Sequence, residues 1–224
     1  MHFIIINASP HTVSQSNTAQ VIESFQQGIK QTNSTYKTYH LSKKIDWENA
    51  IKDFVISENI IIALPVFAAT IPGYLMQFFE ELYKYKLDNP IPSSKNNISF
   101  IIQSGFPEAC QRYHCENLLR KISQILDCNY NGALSFGINI RFITNKNWQN
   151  ILETYKSLGN QFVKNNGTFF FEEAYEQNKP EYFSEEECNK FNKIFNFFCR
   201  QISESRGCKH SLKYQPYVHP TEHT

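Results

Sequence analysis

The 224-residue chain is 41% hydrophobic and 19% charged, a globular balance that excludes a disordered polymer, and eight glycines with nine prolines exclude collagen-like or low-complexity character. A chain this long buries roughly 70% of its unfolded surface, enough for a full core. Twenty-two basic against 21 acidic residues leave a net charge of +1, so no global field draws it to nucleic acid or to an anionic membrane.

The N-terminal run Phe3 to Asn7 is short and apolar and reads as a first strand; with no basic residues before it, it is not a signal sequence. A polar loop, Ala8 to Ser16, follows. Val21, Ile22, Phe25 and Ile29 recur at helical spacing, which predicts a helix from about Asn17 to Gln31. Thr35 to Leu41 reads as a second, more polar strand, and Ala50, Ile51, Phe54 and Val55 mark a short helix. Ile60 to Leu64 is apolar throughout, as a parallel strand covered on both faces should be.

The stretch from Asn59 to Phe79 carries no charge and has the length of a membrane span, but Pro65, Pro72 and Gly73 cut it into strand, loop and helix. That helix runs from Gly73 to about Tyr83, with Leu75, Phe78, Phe79 and Leu82 on one side. Ile98 to Gln103 reads as the fourth strand. Leu118, Leu119, Ile122, Ile125 and Leu126 define the fourth helix, Ala133 to Ile138 a fifth strand, and Trp148, Ile151, Leu152, Tyr155, Leu158 and Phe162 a fifth helix.

Five strands alternating with five helices predict an α/β fold, a doubly wound five-stranded parallel sheet, because parallel strands need right-handed and usually helical crossovers. The shortness of the unit favours the order 2-1-3-4-5 over a six-stranded dinucleotide fold. Ligands of such sheets bind beyond the carboxyl ends of the strands, where the chain direction reverses between strands 1 and 3. Three loops therefore matter: Ala8 to Ser16, Pro65 to Pro72, and the one after Gln103.

The first loop is rich in hydroxyls and ends at a helix start, which suits an anion, with Ser16 as the helix cap in the plainer reading. No Lys or Arg precedes Lys30, so a phosphate here is held by neutral donors and His11; the G-x-x-x-x-G-K-[ST] and G-x-G-x-x-G patterns are both absent. The second loop, Pro65-Val66-Phe67-Ala68-Ala69-Thr70-Ile71-Pro72-Gly73, is apolar where a surface loop is usually polar; it suits a flat aromatic ligand or packing under the tail. The third, Gln103-Ser104-Gly105-Phe106, offers a glycine for close approach beside an aromatic.

Ser9-Pro10, Ser16-Asn17-Thr18, Pro65-Val66-Phe67, Pro72-Gly73 and Ser104-Gly105 fall in order at three strand ends. Together they resemble the flavodoxin-like NAD(P)H-dependent FMN reductase and NAD(P)H:quinone oxidoreductase family, over about residues 1 to 165. The resemblance implies a flavodoxin-like fold with FMN as cofactor and NAD(P)H as co-substrate. It implies FMN phosphate at Ser9, His11, Ser16, Asn17 and Thr18, and the flavin ring against Pro65, Val66, Phe67, Ala68, Gln103, Ser104, Gly105 and Phe106. His11 stands where that family often has arginine, Ala8 where it often has glycine, and Ala68 where a second bulky aromatic is common. The segment Leu41 to Asp46 holds no cysteine, which argues against an iron–sulfur centre.

All six cysteines, Cys110, Cys115, Cys128, Cys188, Cys199 and Cys208, lie from residue 110 onward without C-x-x-C spacing, so they read as reduced thiols of a cytoplasmic protein. Cys110, His114 and Cys115, and the tail group Cys208, His210, His219 and His223, are too sparse to define a metal site, and no metal is expected. Residues 166 to 224 form an aromatic-rich extension. In it Ser184 and Glu187 make a capping box for a helix over about 184 to 204, with Cys188, Phe191, Ile194, Phe195, Phe198, Cys199 and Ile202 on one face.

The expected function is hydride transfer from NAD(P)H through bound FMN to a quinone, flavin or similar small acceptor. The flavin carries the chemistry, no side-chain acid or base is required, and a homodimer closes the site. The rival readings are an electron carrier that binds FMN without using NAD(P)H, and a non-catalytic scaffold that has lost the flavin. Carriers of the first kind are usually strongly acidic, and a charge of +1 counts against one here.

Overall fold

A computed structural model describes residues 1–11, 16–90, 95–105, 110–137, 145–169, 185–205 and 207. The elements run β1 (His2–Asn7), α1 (Asn17–Lys30), β2 (Thr35–His40), α2 (Trp47–Ile56), β3 (Asn59–Pro65), α3 (Gly73–Asp88), β4 (Asn97–Ser104), α4 (Cys110–Ile125), β5 (Asn129–Gly137), α5 (Asn145–Lys164) and α6 (Glu185–Ser205). The five strands form one sheet in the order β2-β1-β3-β4-β5, every pairing parallel. This is the expected doubly wound sheet.

Strand alternation divides the core in two. Ile4, Ile6, Ile60, Ile62, Leu64, Phe100 and Ile102 meet α2, α3 and α4 on one face. Phe3, Ile5, Ile61, Ala63, Ile101 and Leu134 meet α1 and α5 on the other. Both faces of the central strands are dry, which is why β1 and β3 read as continuous apolar runs. Full burial of one such side chain stabilises the fold by about 1.5–3 kcal/mol.

Two boundaries lie outside the sequence reading. Helix α3 continues five residues beyond Tyr83, through the exposed Tyr83 and Leu87, and stops before Asn89-Pro90, where the residue preceding proline disfavours helix. Strand β5 begins at Asn129, four residues before Ala133, because an edge strand needs apolar side chains only where helices cover it. Its polar start is held by side chains, Asn129 Nδ2 donating to Asn97 Oδ1 at 3.1 Å, and the register shifts between Ile98 and Phe100. Ile138 lies outside the described residues.

Helices α1 and α5 cross at two glycines. A Cβ at Gly28 would lie 1.9 Å from the Lys156 carbonyl oxygen, and one at Gly159 would lie 2.1 Å from the Phe25 carbonyl oxygen. The crossing is pinned by Trp148 Nε1 donating to Gln20 Oε1 at 2.8 Å and by Ser24 donating its hydroxyl to the Leu152 carbonyl. It fixes the direction in which α1 presents its N-terminus.

The chain forms two compact units, Met1–Glu181 and Tyr182–Thr224. In the first, the turn after α5 packs back on the sheet, with Gly167 in the left-handed region at φ +76 and its carbonyl accepting from Ser99 Oγ at 3.3 Å. In the second, α6 is the helix read over 184 to 204. Cys188 on it is exposed, whereas Ser184 and the side chains of Glu187, Phe191, Ile194, Phe195, Phe198, Cys199 and Ile202 lie outside the described residues. No helix among the described residues is long and apolar enough to cross a membrane.

Candidate functional site

The three loops singled out in the sequence leave the same edge of the sheet and are tied together there. Asn7 pairs with Ala63 in the register, and Pro65 with Gln103. Beyond the strands, Ala8 N donates to the Ala63 carbonyl at 2.8 Å, and Val66 N to the Gln103 carbonyl at 2.6 Å. Tyr74, in the first turn of α3, donates its hydroxyl to the Ala8 carbonyl, so the second loop also holds the first from above. Burial pushes the Tyr74 phenol well above its usual range, which keeps it a donor.

Asn7 sets the start of the first loop. Its Oδ1 accepts from Ser9 N at 2.9 Å, and its Nδ2 lies 3.2 Å from His40 Nδ1. Partial burial lowers the His40 pKa, with Lys43 adding to the shift, which favours the neutral ring that can accept from the Asn7 amide. Ser9 is buried and its Oγ accepts from His11 N at 3.3 Å; the His11 side chain is exposed. Residues 12 to 15 lie outside the described residues.

Ser16 is the N-cap of α1, in extended conformation, its Oγ accepting from Ala19 N at 3.1 Å. The capping role and the anion role are compatible. The cap occupies the Ala19 N–H, while the N–H groups of Asn17 and Thr18 have no intrahelical acceptor and the Ser16 hydroxyl proton can still be donated. Thr18 is buried and Asn17 half-buried at this helix start.

The second loop is a tight two-residue turn. Phe67 N donates to the Thr70 carbonyl at 2.9 Å and Thr70 N to the Phe67 carbonyl at 3.0 Å, with Ala68 at φ +48 and Ala69 at φ +62. Two left-handed residues in succession define a primed turn, which Asn-Gly adopts readily and alanine adopts at about 1–2 kcal/mol per residue. The Phe67 N–H is spent inside the turn and is not available to a ligand. Ala68 N and Ala69 N make no hydrogen bond among the described residues. Phe67 is 44% exposed, Pro65 and Val66 are half-buried, and Ala68 is exposed.

At the third loop, Ser104 is buried at the end of β4, and a Cβ built on Gly105 meets nothing within 4 Å. Packing against the described residues does not demand glycine at 105, and a Cβ there would stand in open space. Phe106 lies outside the described residues. Gln103 is buried, and among the described residues its Oε1 has no hydrogen-bond partner. The Tyr155 phenol is driven above its usual range by complete burial, with Gln103 and the Arg112 charge pulling the other way.

Arg112, on α4, was not anticipated from the sequence. It is only 4% exposed, and its Nε donates to Ser135 Oγ at 3.0 Å. A lone arginine two residues into a helix carries no signal of burial in its sequence spacing. Cys115 faces away from the exposed His114 into the core, where burial pushes its thiol up to about 12, so these neighbours do not converge on a metal. Among the described residues no three His, Cys, Asp or Glu side chains come together as a ligand set. Cys208, His210, His219 and His223 lie outside the described residues.

The donor set fits a flavin mononucleotide. A capped helix start with hydroxyls takes the phosphate without a lysine. An exposed aromatic, two turn N–H groups with no hydrogen bond among the described residues, and open space at the Gly105 Cβ suit a flat ring with polar edges.

No family model matches the chain, and no curated protein matches it by sequence. Solved structures do. An NAD(P)H:quinone oxidoreductase from Methanothermobacter marburgensis superposes with a TM-score of 0.56 at 14% identity, over 73% of this chain and 97% of that one. An FMN-dependent NADH-azoreductase from Bacillus anthracis, in complex with FMN, gives 0.53 at 13% identity over 72% and 98%. An NADH:FMN oxidoreductase in its apo form gives 0.53 at 14% over 71% and 88%. At these identities the likeness is one of architecture: this chain has the flavodoxin-like fold that those reductases share.

Proposed function

We propose that the protein is an FMN-dependent oxidoreductase that passes hydride from NAD(P)H, by way of bound flavin, to a quinone, a flavin or a similar small acceptor. The observation that carries the reading is the juxtaposition, at one sheet edge, of an anion-ready helix start and an exposed aromatic turn, joined by Ala8–Ala63 and Tyr74–Ala8 hydrogen bonds. The architecture shared with the quinone oxidoreductase and the FMN-dependent azoreductase named above supports it.

Bound FMN supplies the two-electron relay between nicotinamide and acceptor. The chain's own residues do the holding. Ser9, Ser16 and the N–H groups of Asn17 and Thr18 take the phosphate, with His11 exposed beside them. Pro65, Val66, Phe67 and Ala68 on one side, and Gln103, Ser104, Gly105 and Phe106 on the other, border the ring. The Ala68 N–H is the donor to its edge. No side-chain acid or base is assigned.

The reading includes a cytoplasmic homodimer with the C-terminal extension at or near the subunit contact, since excluding water favours hydride transfer. Deleting Phe183 to Thr224 then lowers the solution mass to that of a monomer. A truncated protein that stays folded, dimeric and fully active refutes that part alone. For the function itself, the purified protein is expected to be yellow and to release FMN on denaturation. It then oxidises NAD(P)H steadily when a quinone is added. Colourless protein that takes up no added FMN refutes the reading; FMN uptake without NAD(P)H turnover converts it to an electron carrier.

A further inference from the structure

Beside the free edge of the sheet, α1 and β2 enclose a groove of about 470 Å³, within the usual range for small-molecule sites. Tyr36, Thr38 and His40 line it from β2, and Glu23, Gln26 and Lys30 from α1. The two elements run in opposite directions: Gln26 Nε2 donates to Thr38 Oγ1 at 2.7 Å, and Lys30 Nζ lies 5.6 Å from the Tyr36 ring centroid. Among the described residues β2 is paired on one side only, with β1. Thr35 N donates to the Met1 carbonyl and Leu41 N to the Asn7 carbonyl, so the odd-numbered residues of β2 turn their backbone groups to β1. The N–H and C=O groups of Tyr36, Thr38 and His40 therefore point out of the free edge, beside the groove that their side chains line. Glu23 and Lys30 are exposed, and neither has an ion-pair partner among the described residues. Two turns of helix hold them about 10 Å apart, too far to pair with each other.

We propose that this groove binds a free, zwitterionic tripeptide as an added antiparallel strand on β2, with its ammonium at Glu23 and its carboxylate at Lys30. Three extended residues span about 10 Å, the separation of the two charges. Gln26 stands midway between Glu23 and Lys30 and is bonded to Thr38, which sets the middle residue of the peptide opposite Thr38. There the two residues exchange both backbone hydrogen bonds, the closely spaced pair of an antiparallel ladder. Charge sets the direction. Glu23 lies toward the His40 end of β2 and Lys30 toward the Tyr36 end, so a peptide that satisfies both runs opposite to β2. Main-chain pairing supplies affinity, and the two charges select the length. A nucleotide would satisfy Lys30 but leave the row of edge N–H and C=O groups unused. An internal chain segment, from a second copy or another protein, would pair with the edge but bring no termini to the two charges.

The test titrates the full-length, isotope-labelled protein with the tripeptide Ala-Val-Ala and follows the backbone amide resonances of Tyr36, Thr38 and His40 by NMR. Its N-acetylated form, its C-amidated form, the dipeptide Ala-Ala and AMP serve as comparisons. The free tripeptide is expected to give saturable shifts at Thr38. Blocking either end should weaken it about fivefold, the worth of one partly screened ion pair, and the dipeptide should also bind more weakly. Glu23→Gln and Lys30→Gln change exposed side chains, and neither residue is assigned to the flavin. In Glu23→Gln the free and N-acetylated peptides should bind alike while C-amidation still costs affinity; Lys30→Gln should show the reverse. No saturable shift at Thr38 by about 10 mM peptide overturns the proposal. So do blocked peptides that bind as well as the free one, variants that each lose the other end's discrimination, and AMP that binds here more tightly than the tripeptide. Shifts along β2 that grow with protein concentration alone, from pairing of two copies, overturn it as well. FMN uptake by the same protein is read separately, so failure here leaves the flavin reading untouched.

Discussion

Replacing Gly159 by alanine tests whether the α1–α5 crossing is as close as it stands. The three atoms nearest the new Cβ are the Phe25 carbonyl oxygen at 2.1 Å, its carbon at 3.0 Å and its Cα at 3.3 Å. All are backbone, so no rotamer change relieves the clash; one helix must move away by about 1 Å. Separation loosens the contacts of Phe25 with Phe162 and Phe169. Overpacking of this kind costs about 3 kcal/mol, at the upper end of the usual range. Alanine returns about 1 kcal/mol through helix propensity. The net loss is about 2 kcal/mol, which lowers Tm by about 4–8 °C in a unit of this size. Gly28→Ala, whose Cβ would lie 1.9 Å from the Lys156 oxygen, should behave alike. The double variant should cost clearly less than the sum, because one separation relieves both clashes. Gly73→Ala, with nothing within 4 Å, is the control and should change stability by less than about 0.5 kcal/mol. Thermal and urea melts read all four proteins. A higher Tm for either single variant, as propensity alone would give, refutes the close crossing.

Stability should fall with pH in two stages. His40 is depressed by burial, so its contribution is complete above the unfolded histidine value of about 6.5 and is lost as pH drops below it. Desolvation opposes ionisation of Asp53, but hydrogen bonds from Lys37 and Tyr39 outweigh it and hold the carboxyl low; its contribution is lost below about pH 4. His40→Gln should remove the upper stage and Asp53→Asn the lower in urea titrations; an unchanged pH profile in either variant excludes that group. The paired substitution Ala68→Asn with Ala69→Gly should raise stability by about 1 kcal/mol by giving the turn residues suited to φ +48 and +62, and no gain in Tm would count against a primed turn. Ser16→Ala combined with Thr18→Ala should weaken FMN at least tenfold while riboflavin, which lacks the phosphate, loses little; equal losses would show that the phosphate lies elsewhere.

What could be read in advance follows from how local each signal is. Burial of β1 and β3 on both faces leaves unbroken apolar runs, and the alternation with helices then leaves few parallel orders. The loops of the candidate site were legible for the same reason, since Ser16 caps through its own side chain and Pro-Gly opens α3. What depends on two distant segments left no trace. Gly28 and Gly159 read as weak points in helices, and only the approach of α1 to α5 makes them requirements. Ala68-Ala69 gives no hint of a turn that glycine would enter more easily, so the pairing of the Phe67 N–H with the Thr70 carbonyl could not be foreseen. Arg112 is the sharpest case. As one of 22 basic residues it reads as solvated surface, and only the position of Ser135 on the neighbouring strand turns it into a buried charge. The residues proposed to bind are thus visible as motifs, while the buried guanidinium is visible only once α4 has been laid against β5.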